Sequence, residues 1–333
     1  MYKLLFIILF SFLVINAKSQ DPHFSQFYAS PLTLNPALTG KFDGDLRIAG
    51  NYRNQWPSIN KAFVTTTVSV DFPIMASRIA ANDTWGMGVM GYSDQSANSA
   101  LKFNYLTVST AFHKGLDEDG YQQIGAGFQA TYTNMLLDGT KLTFEDQLTP
   151  FGFTGTTSEV FKNSGLTNSY FDLNAGVLYT GSTSDKNNFY AGISMYHLTR
   201  PKQSFSETFF LLNPRTTFHA GGYFPAGDAG TLHVSALYSS QAGASEAVFG
   251  GAFQRPITEG DKPTSVYAGA WLRVNDALIP YIGLEFSDFR VGATYDVNTS
   301  SLKTASNSKG GIEISMIYIK KPAQSRGLPC PKF

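Results

Sequence analysis

Fourteen times along this chain, a stretch of about ten residues alternates apolar and polar positions between clusters of Gly, Asn, Asp, Ser or Pro. No other feature constrains the fold as strongly. Period-two alternation puts one face of a strand in one solvent and the other face in another, and a one-residue slip would invert every side chain. The stretches fall at about 45–54, 63–72, 84–93, 101–113, 121–133, 169–180, 187–198, 215–224, 230–239, 246–254, 264–274, 278–286, 289–297 and 310–319. In the first, Leu46, Ile48, Gly50 and Tyr52 oppose Arg47, Ala49, Asn51 and Arg53. In the thirteenth, Val291, Ala293, Tyr295 and Val297 oppose Arg290, Gly292, Thr294 and Asp296. The fourth breaks the pattern, with Phe103 and Tyr105 on one parity and Leu106 and Val108 on the other.

A soluble sandwich also alternates, but three features favour a transmembrane barrel. Strands of about ten residues suit a tilted membrane crossing, whereas soluble strands average about five to six. Phe171 and Tyr179 share a face eight residues apart, about 19 Å along the membrane normal, which fits the two edges of an apolar band. The connections also differ by parity. With the barrel beginning on the periplasmic side, odd connections face outward and should be longer. The fifth (134–168), seventh (199–214) and thirteenth (298–309) are long, while 182–186, 225–229 and 287–288 are short. Connections 73–83 and 255–263 exceed the usual periplasmic length. The expected fold is all-β: an outer-membrane barrel of about 14 antiparallel strands over 44–319, with a polar C-terminal tail, 320–333. Gly311, Ile314 and Met316 carry a loose last-strand insertion spacing.

Export is written at the start. Met1 to Lys3 are weakly basic, Leu4 to Ile15 are apolar apart from Ser11, and Ala17-Lys18-Ser19 supplies small residues before Gln20. This predicts a signal peptide, 1–19, cleaved between Ser19 and Gln20. The apolar run is too short for a spanning helix of about 20 residues, and no Cys near the junction supports a lipid anchor.

Composition excludes several functions. The 25 basic and 25 acidic residues cancel, so the basic excess of a nucleic-acid binder is missing. One Cys allows no internal disulfide and no Cys-rich zinc site. Gly86-Met87-Gly88-Val89-Met90-Gly91 matches a dinucleotide fingerprint by letters only, because no helix follows it. Its glycines read instead as a bent strand packed on aromatics. Asp117-Glu118-Asp119-Gly120 reads as a periplasmic turn, and His23, His113, His197, His219 and His233 lack metal-ligand spacing. We expect no enzyme and no cofactor.

A resemblance emerges from motifs spread over the whole mature chain. Gln20-Asp21-Pro22-His23-Phe24-Ser25-Gln26-Phe27-Tyr28, Leu34-Asn35-Pro36-Ala37-Leu38-Thr39-Gly40 and Tyr52-Arg53-Asn54-Gln55-Trp56 stand in order. They are followed by Asp138 to Gln147, Tyr295 to Leu302, Gly311-Ile312-Glu313-Ile314-Ser315 and the ending Cys330-Pro331-Lys332-Phe333. This succession resembles the PorP/SprF family of outer-membrane proteins associated with type IX secretion in Bacteroidetes. One departure is that Gly-Ile, without the family's frequent His, precedes Glu313. The resemblance implies a fourteen-stranded barrel that helps export large adhesins carrying a C-terminal type IX sorting domain and holds them at the surface, in some members for gliding motility. It also implies partnership with other type IX components, beside outer-membrane lipid.

Candidate partner-binding residues follow from residue type. The segment 20–43 holds Phe24, Phe27, Tyr28, Asn35 and Pro36; it is too aromatic for a disordered arm and reads as either a lumen plug or a docking element at the periplasmic rim. Arg53, Asn54, Gln55 and Trp56 end the first strand at the outer rim. Arg and Trp are hot-spot residue types, though an interfacial Trp also anchors barrels. Loop 134–168 carries Phe144, Phe151, Phe153 and Phe161, more rings than a solvated loop needs. Cys330, with Pro331 and Phe333, suggests either an intermolecular thiol bond or an extended docking peptide. The alternative function is a passive diffusion channel, which would need an open, charge-lined lumen; inward charges read as sparse here.

Overall fold

The computed structural model describes residues 21–59, 63–158, 165–184, 186–204, 209–227, 230–258, 264–301 and 303–321. Fourteen strands close into one antiparallel barrel. They are β1 (Leu46–Gln55), β2 (Phe63–Ile74), β3 (Thr84–Ser96), β4 (Leu101–Gly115), β5 (Gln122–Leu137), β6 (Leu166–Gly181) and β7 (Asn188–Tyr196). There follow β8 (Arg215–Ala226), β9 (Gly230–Gln241), β10 (Ala244–Pro256), β11 (Ser265–Arg273), β12 (Ala277–Phe286), β13 (Phe289–Asn298) and β14 (Lys309–Lys320). Each strand pairs with its sequence neighbours, and β1 pairs with β14 from Leu46↔Lys320 to Gln55↔Gly311. Closure leaves no unpaired edge, which is what a bilayer without hydrogen-bonding solvent demands.

The two faces are inverted relative to a soluble protein. Phe128 and Phe171 point outward, 63% and 75% exposed, as do Val89, Leu106, Val108, Ile282 and Ile314. Arg47, Arg53, Asp71 and Glu313 point inward and are at most 2% exposed. An apolar exterior around a charged interior is stable only with lipid outside.

The connections sort by end. Those at the outward end include 138–165, 197–214 and 299–308, although 242–243 and 274–276 at the same end are tight. At the other end, 116–121, 182–187, 227–229 and 287–288 are short, and 75–83 and 257–264 are longer. Strands β5 and β6 reach Leu137 and Leu166, so their ladder continues above the expected strand ends and the loop between them is 138–165. The irregular fourth stretch has a simple cause. Leu106 and Val108 face lipid on the regular parity, whereas Phe103 and Tyr105 face the lumen mouth, where Tyr105 meets Tyr92 edge-on at 4.8 Å.

Candidate functional site

The lumen holds the N-terminal segment, residues 21–43, which carries only a short helical turn, Pro31–Leu34, and two 3-10 turns. Without a ladder of its own, its backbone must find partners on the wall, and it does so along its length. The Leu32 carbonyl accepts from Gln129 Nε2 and Tyr196 Oη, both at 2.9 Å. The Leu34 carbonyl accepts from Ser194 Oγ at 2.7 Å, and the Leu38 carbonyl from Arg47 Nη2 at 2.9 Å. Gly40 N donates to Asp71 Oδ2 at 2.7 Å. Asn35 Nδ2 lies 2.9 Å from His219 Nε2, and Asn35 Oδ1 accepts from Ala37 N.

Glycines in the wall make this approach possible. A Cβ at Gly86 would overlap the Thr39 carbonyl, and one at Gly127 would overlap the backbone of Pro36 and Ala37. Gly86 and Gly88 thus make room for the segment, rather than bending the strand against aromatics, and Gly91 faces outward into open space. The sequence expectation for this motif is corrected in that respect.

Apolar side chains of the segment pack where the wall offers rings. Phe27, Leu34, Ala37 and Leu38 join Leu178, Tyr190, Val248, Trp271, Ile279 and Tyr281 in one buried cluster. Tyr28 stacks on Trp271 at 4.8 Å and meets Tyr281 edge-on at 6.0 Å. Phe24 is buried as well.

Charges inside the barrel are abundant and most meet an opposite charge, which corrects the expectation that they are sparse. Arg47 forms a bidentate pair with Asp71, Nε to Oδ1 at 2.9 Å and Nη2 to Oδ2 at 2.7 Å. A larger cluster spans the β1–β14 seam. Arg53 Nη2 meets Asp296 Oδ2 at 2.7 Å and Nη1 meets Glu313 Oε2 at 3.2 Å, while Arg273 Nη1 meets Asp296 Oδ2 at 2.9 Å. The segment completes this cluster. Ser25 N and Gln26 N donate to the two Glu313 oxygens at 2.7 and 2.9 Å. Ser25 Oγ donates to Asp296 Oδ1 at 2.7 Å and accepts from Arg53 and Arg273. Glu313 therefore anchors the segment.

At the outward mouth a second group holds the segment's first described residue. His197 bridges Asp21 and Asp172 with both ring nitrogens at 2.6 Å. Arg215 stands 3.6 Å from Asp21, and Asp21 N donates to Gln241 Oε1 at 2.7 Å. Burial disfavours the His197 charge, but the Asp21 and Asp172 carboxylates outweigh it and push its pKa up to about 9. Burial likewise opposes the Asp21 charge, yet His197 and Arg215 hold that carboxyl well below its usual range.

The candidate residues therefore separate into groups. Phe24, Phe27, Asn35, Pro36 and Arg53 meet in the lumen, buried against the chain's own wall, with Tyr28 half-buried beside them. Asn54 and Gln55 end β1, and Trp56 follows at φ 52°, edge-on to Phe63 at 5.7 Å. Phe144 is half-buried, whereas Phe153, 54% exposed, stands on a short two-strand ladder and Phe151, 90% exposed, in its turn. Asp146 steadies that loop by accepting from Ser158 N at 2.6 Å. Phe209 and Phe210, which sequence reading passed over, are exposed on another outward loop. Phe161, Cys330, Pro331 and Phe333 lie outside the described residues. Among the described residues, no three or more His, Cys, Asp or Glu side chains are grouped to hold a metal ion.

A closed, lipid-facing barrel whose lumen is occupied by its own N-terminal segment defines an integral outer-membrane protein. Residues 16–318 match the family described as "Type IX secretion system membrane protein PorP/SprF". The chain belongs to that family, and its place is among the components of type IX secretion. Among solved structures it resembles the Ralstonia pickettii toluene transporter TbuX, with a TM-score of 0.53 at 10% identity over 88% of this chain and 93% of that one. The Pseudomonas putida toluene transporter TodX gives 0.49 at 10% identity, over 90% and 94% of the two chains. At this identity the likeness to TbuX shows a common fold and nothing about cargo. No curated protein matches the chain significantly.

Proposed function

We propose that this barrel assists the export and surface attachment of a large adhesin-type client carrying a C-terminal type IX sorting domain, and that it does so without catalysis. Where such a client drives movement, gliding motility is part of the role. The observation that carries this reading is the occupied lumen. A diffusion pore needs a continuous water path, but here wall contacts run from Asp21 at the outward mouth to Gly40 near the opposite rim. A barrel whose lumen is occupied in this way has its surface left to work with. That surface presents Phe151, Phe153, Phe209 and Phe210 on outward loops, exposed rings of the kind that mark a docking area. Within the same proposal the leader 1–19 is removed on export, and the tail 320–333 stays in the periplasm, where Cys330 could meet a partner thiol.

The diffusion-channel reading keeps one observation in its favour. A cavity at the outward mouth is lined by Met90, Tyr92, Tyr105, Tyr196 and Arg215, so displacement of the segment would open a path from it. A tagged pull-down from gently solubilised outer membranes separates the two. Recovery of a large protein with a type IX sorting domain supports attachment. Recovery of the barrel alone, conducting ions steadily, supports a pore.

A further inference from the structure

We infer that the amino-terminal end of this chain reaches the cell-surface side of the membrane through the barrel's own lumen, so that removal of the leader is what allows the pore to fill. The path of the segment carries this. Its first described residue, Asp21, is held by His197, Arg215 and Gln241, all at the strand ends that bear the long loops. Ser25 and Gln26 sit deeper, on Asp296 and Glu313. Asn35 lies beside His219, and Gly40 reaches Asp71 near the short-turn end of β2. Asp45 N then donates to the Lys320 carbonyl at 2.8 Å, on the short-turn rim, where β1 begins. The chain thus descends the lumen before β1 climbs back, and long loops face outward in barrels of this kind.

Two consequences follow. A leader still held in the inner membrane keeps the segment's end on the periplasmic side, where it cannot meet His197, Arg215 or Gln241. Leader removal therefore precedes seating, and until then the barrel lacks the donors that Ser25 and Gln26 bring to Glu313. Once seated, Asp21 is held at the mouth among the strand ends that bear the long loops. This inference concerns the path of the chain and stands whichever client the loops bind.

The test is thiol labelling of intact cells in a Cys330→Ser background, which removes the only native thiol. Phe151→Cys on the outward loop and Asp119→Cys in the 116–121 turn are the two references. Pro22→Cys should react with a membrane-impermeant maleimide on intact cells, as Phe151→Cys does, while Asp119→Cys reacts only after permeabilisation. Pro22→Cys that follows Asp119→Cys overturns the inference. If Pro22→Cys reacts in neither state, an epitope inserted between Gln20 and Asp21 decides. Antibody binding on intact cells upholds the outward path, and binding only after permeabilisation overturns it.

Discussion

Replacing Arg53 with Met probes the seam between the first and last strands. Arg53 is 1% exposed. It holds Asp296 at 2.7 Å and Glu313 at 3.2 Å, and it also donates to Ser25 of the N-terminal segment. Methionine keeps much of the volume and removes the charge. Arg273 still covers Asp296, but Glu313 keeps only the two backbone donors from Ser25 and Gln26 and the partial charge they carry. Truncating one partner of a buried pair costs about 3–5 kcal/mol, because the other charge is left unpaired in a poorly polarisable interior. With Arg273 in place, the expected loss is about 3 kcal/mol, the lower end of that range. Lys114 provides the control. Its pair with Asp83 leaves Lys114 57% exposed, and surface pairs are worth about 0–1 kcal/mol. Denaturant unfolding of the purified barrel in detergent, followed by loss of its compact gel mobility, reads both variants. Arg53→Met should also be partly rescued by Glu313→Gln, which neutralises the stranded carboxylate. An Arg53→Met barrel within about 0.5 kcal/mol of wild type, no more affected than Lys114→Met, would refute the reasoning.

Three further outcomes are expected. Gly127→Ala places a methyl group where Pro36 and Ala37 run; the barrel should still fold, but the segment should seat poorly and planar bilayers should record openings that wild type lacks. The His197 pKa is raised from 6.5 to about 9 in the folded state. Its contribution is therefore complete below pH 6.5 and lost as pH rises through 9, while the depressed Asp21 carboxyl contributes above about pH 4 and fails on acidification. Wild-type stability should fall between pH 6.5 and 9.5, and His197→Gln should remove most of that fall; an unchanged slope would rule the bridge out. Phe151→Ser with Phe153→Ser should lower co-purification of the client several-fold without altering heat-modifiability, and undiminished recovery would remove this loop from the docking surface.

Much of the fold was legible because a membrane imposes a strict period. All fourteen strands sit where alternation places them, and the fourth stretch deviates because Phe103 and Tyr105 line the mouth rather than face lipid. The site was harder to read. Arg47 and Arg53 lie on the face opposite Ile48 and Tyr52, as the parity of β1 requires, yet sequence cannot say that Asp71, Asp296 and Glu313 meet them across other strands. Charges that neutralise one another at 2.7 Å look sparse when each strand is read alone. The segment 21–43 has no period, since its backbone is satisfied by the wall rather than by a ladder. Its aromatic content implied packing but gave no direction of travel. One usable signal was present: glycines at inward positions, such as Gly86 and Gly127, mark where another backbone approaches.

The occupied lumen is the claim on which the functional reading turns, and single-channel recording tests it most directly. Purified wild-type protein in a planar bilayer should be silent, and the same chain lacking residues 21–43 should give steady, ohmic steps. Steady conductance from the intact wild type would contradict the account and return the barrel to the class of diffusion channels.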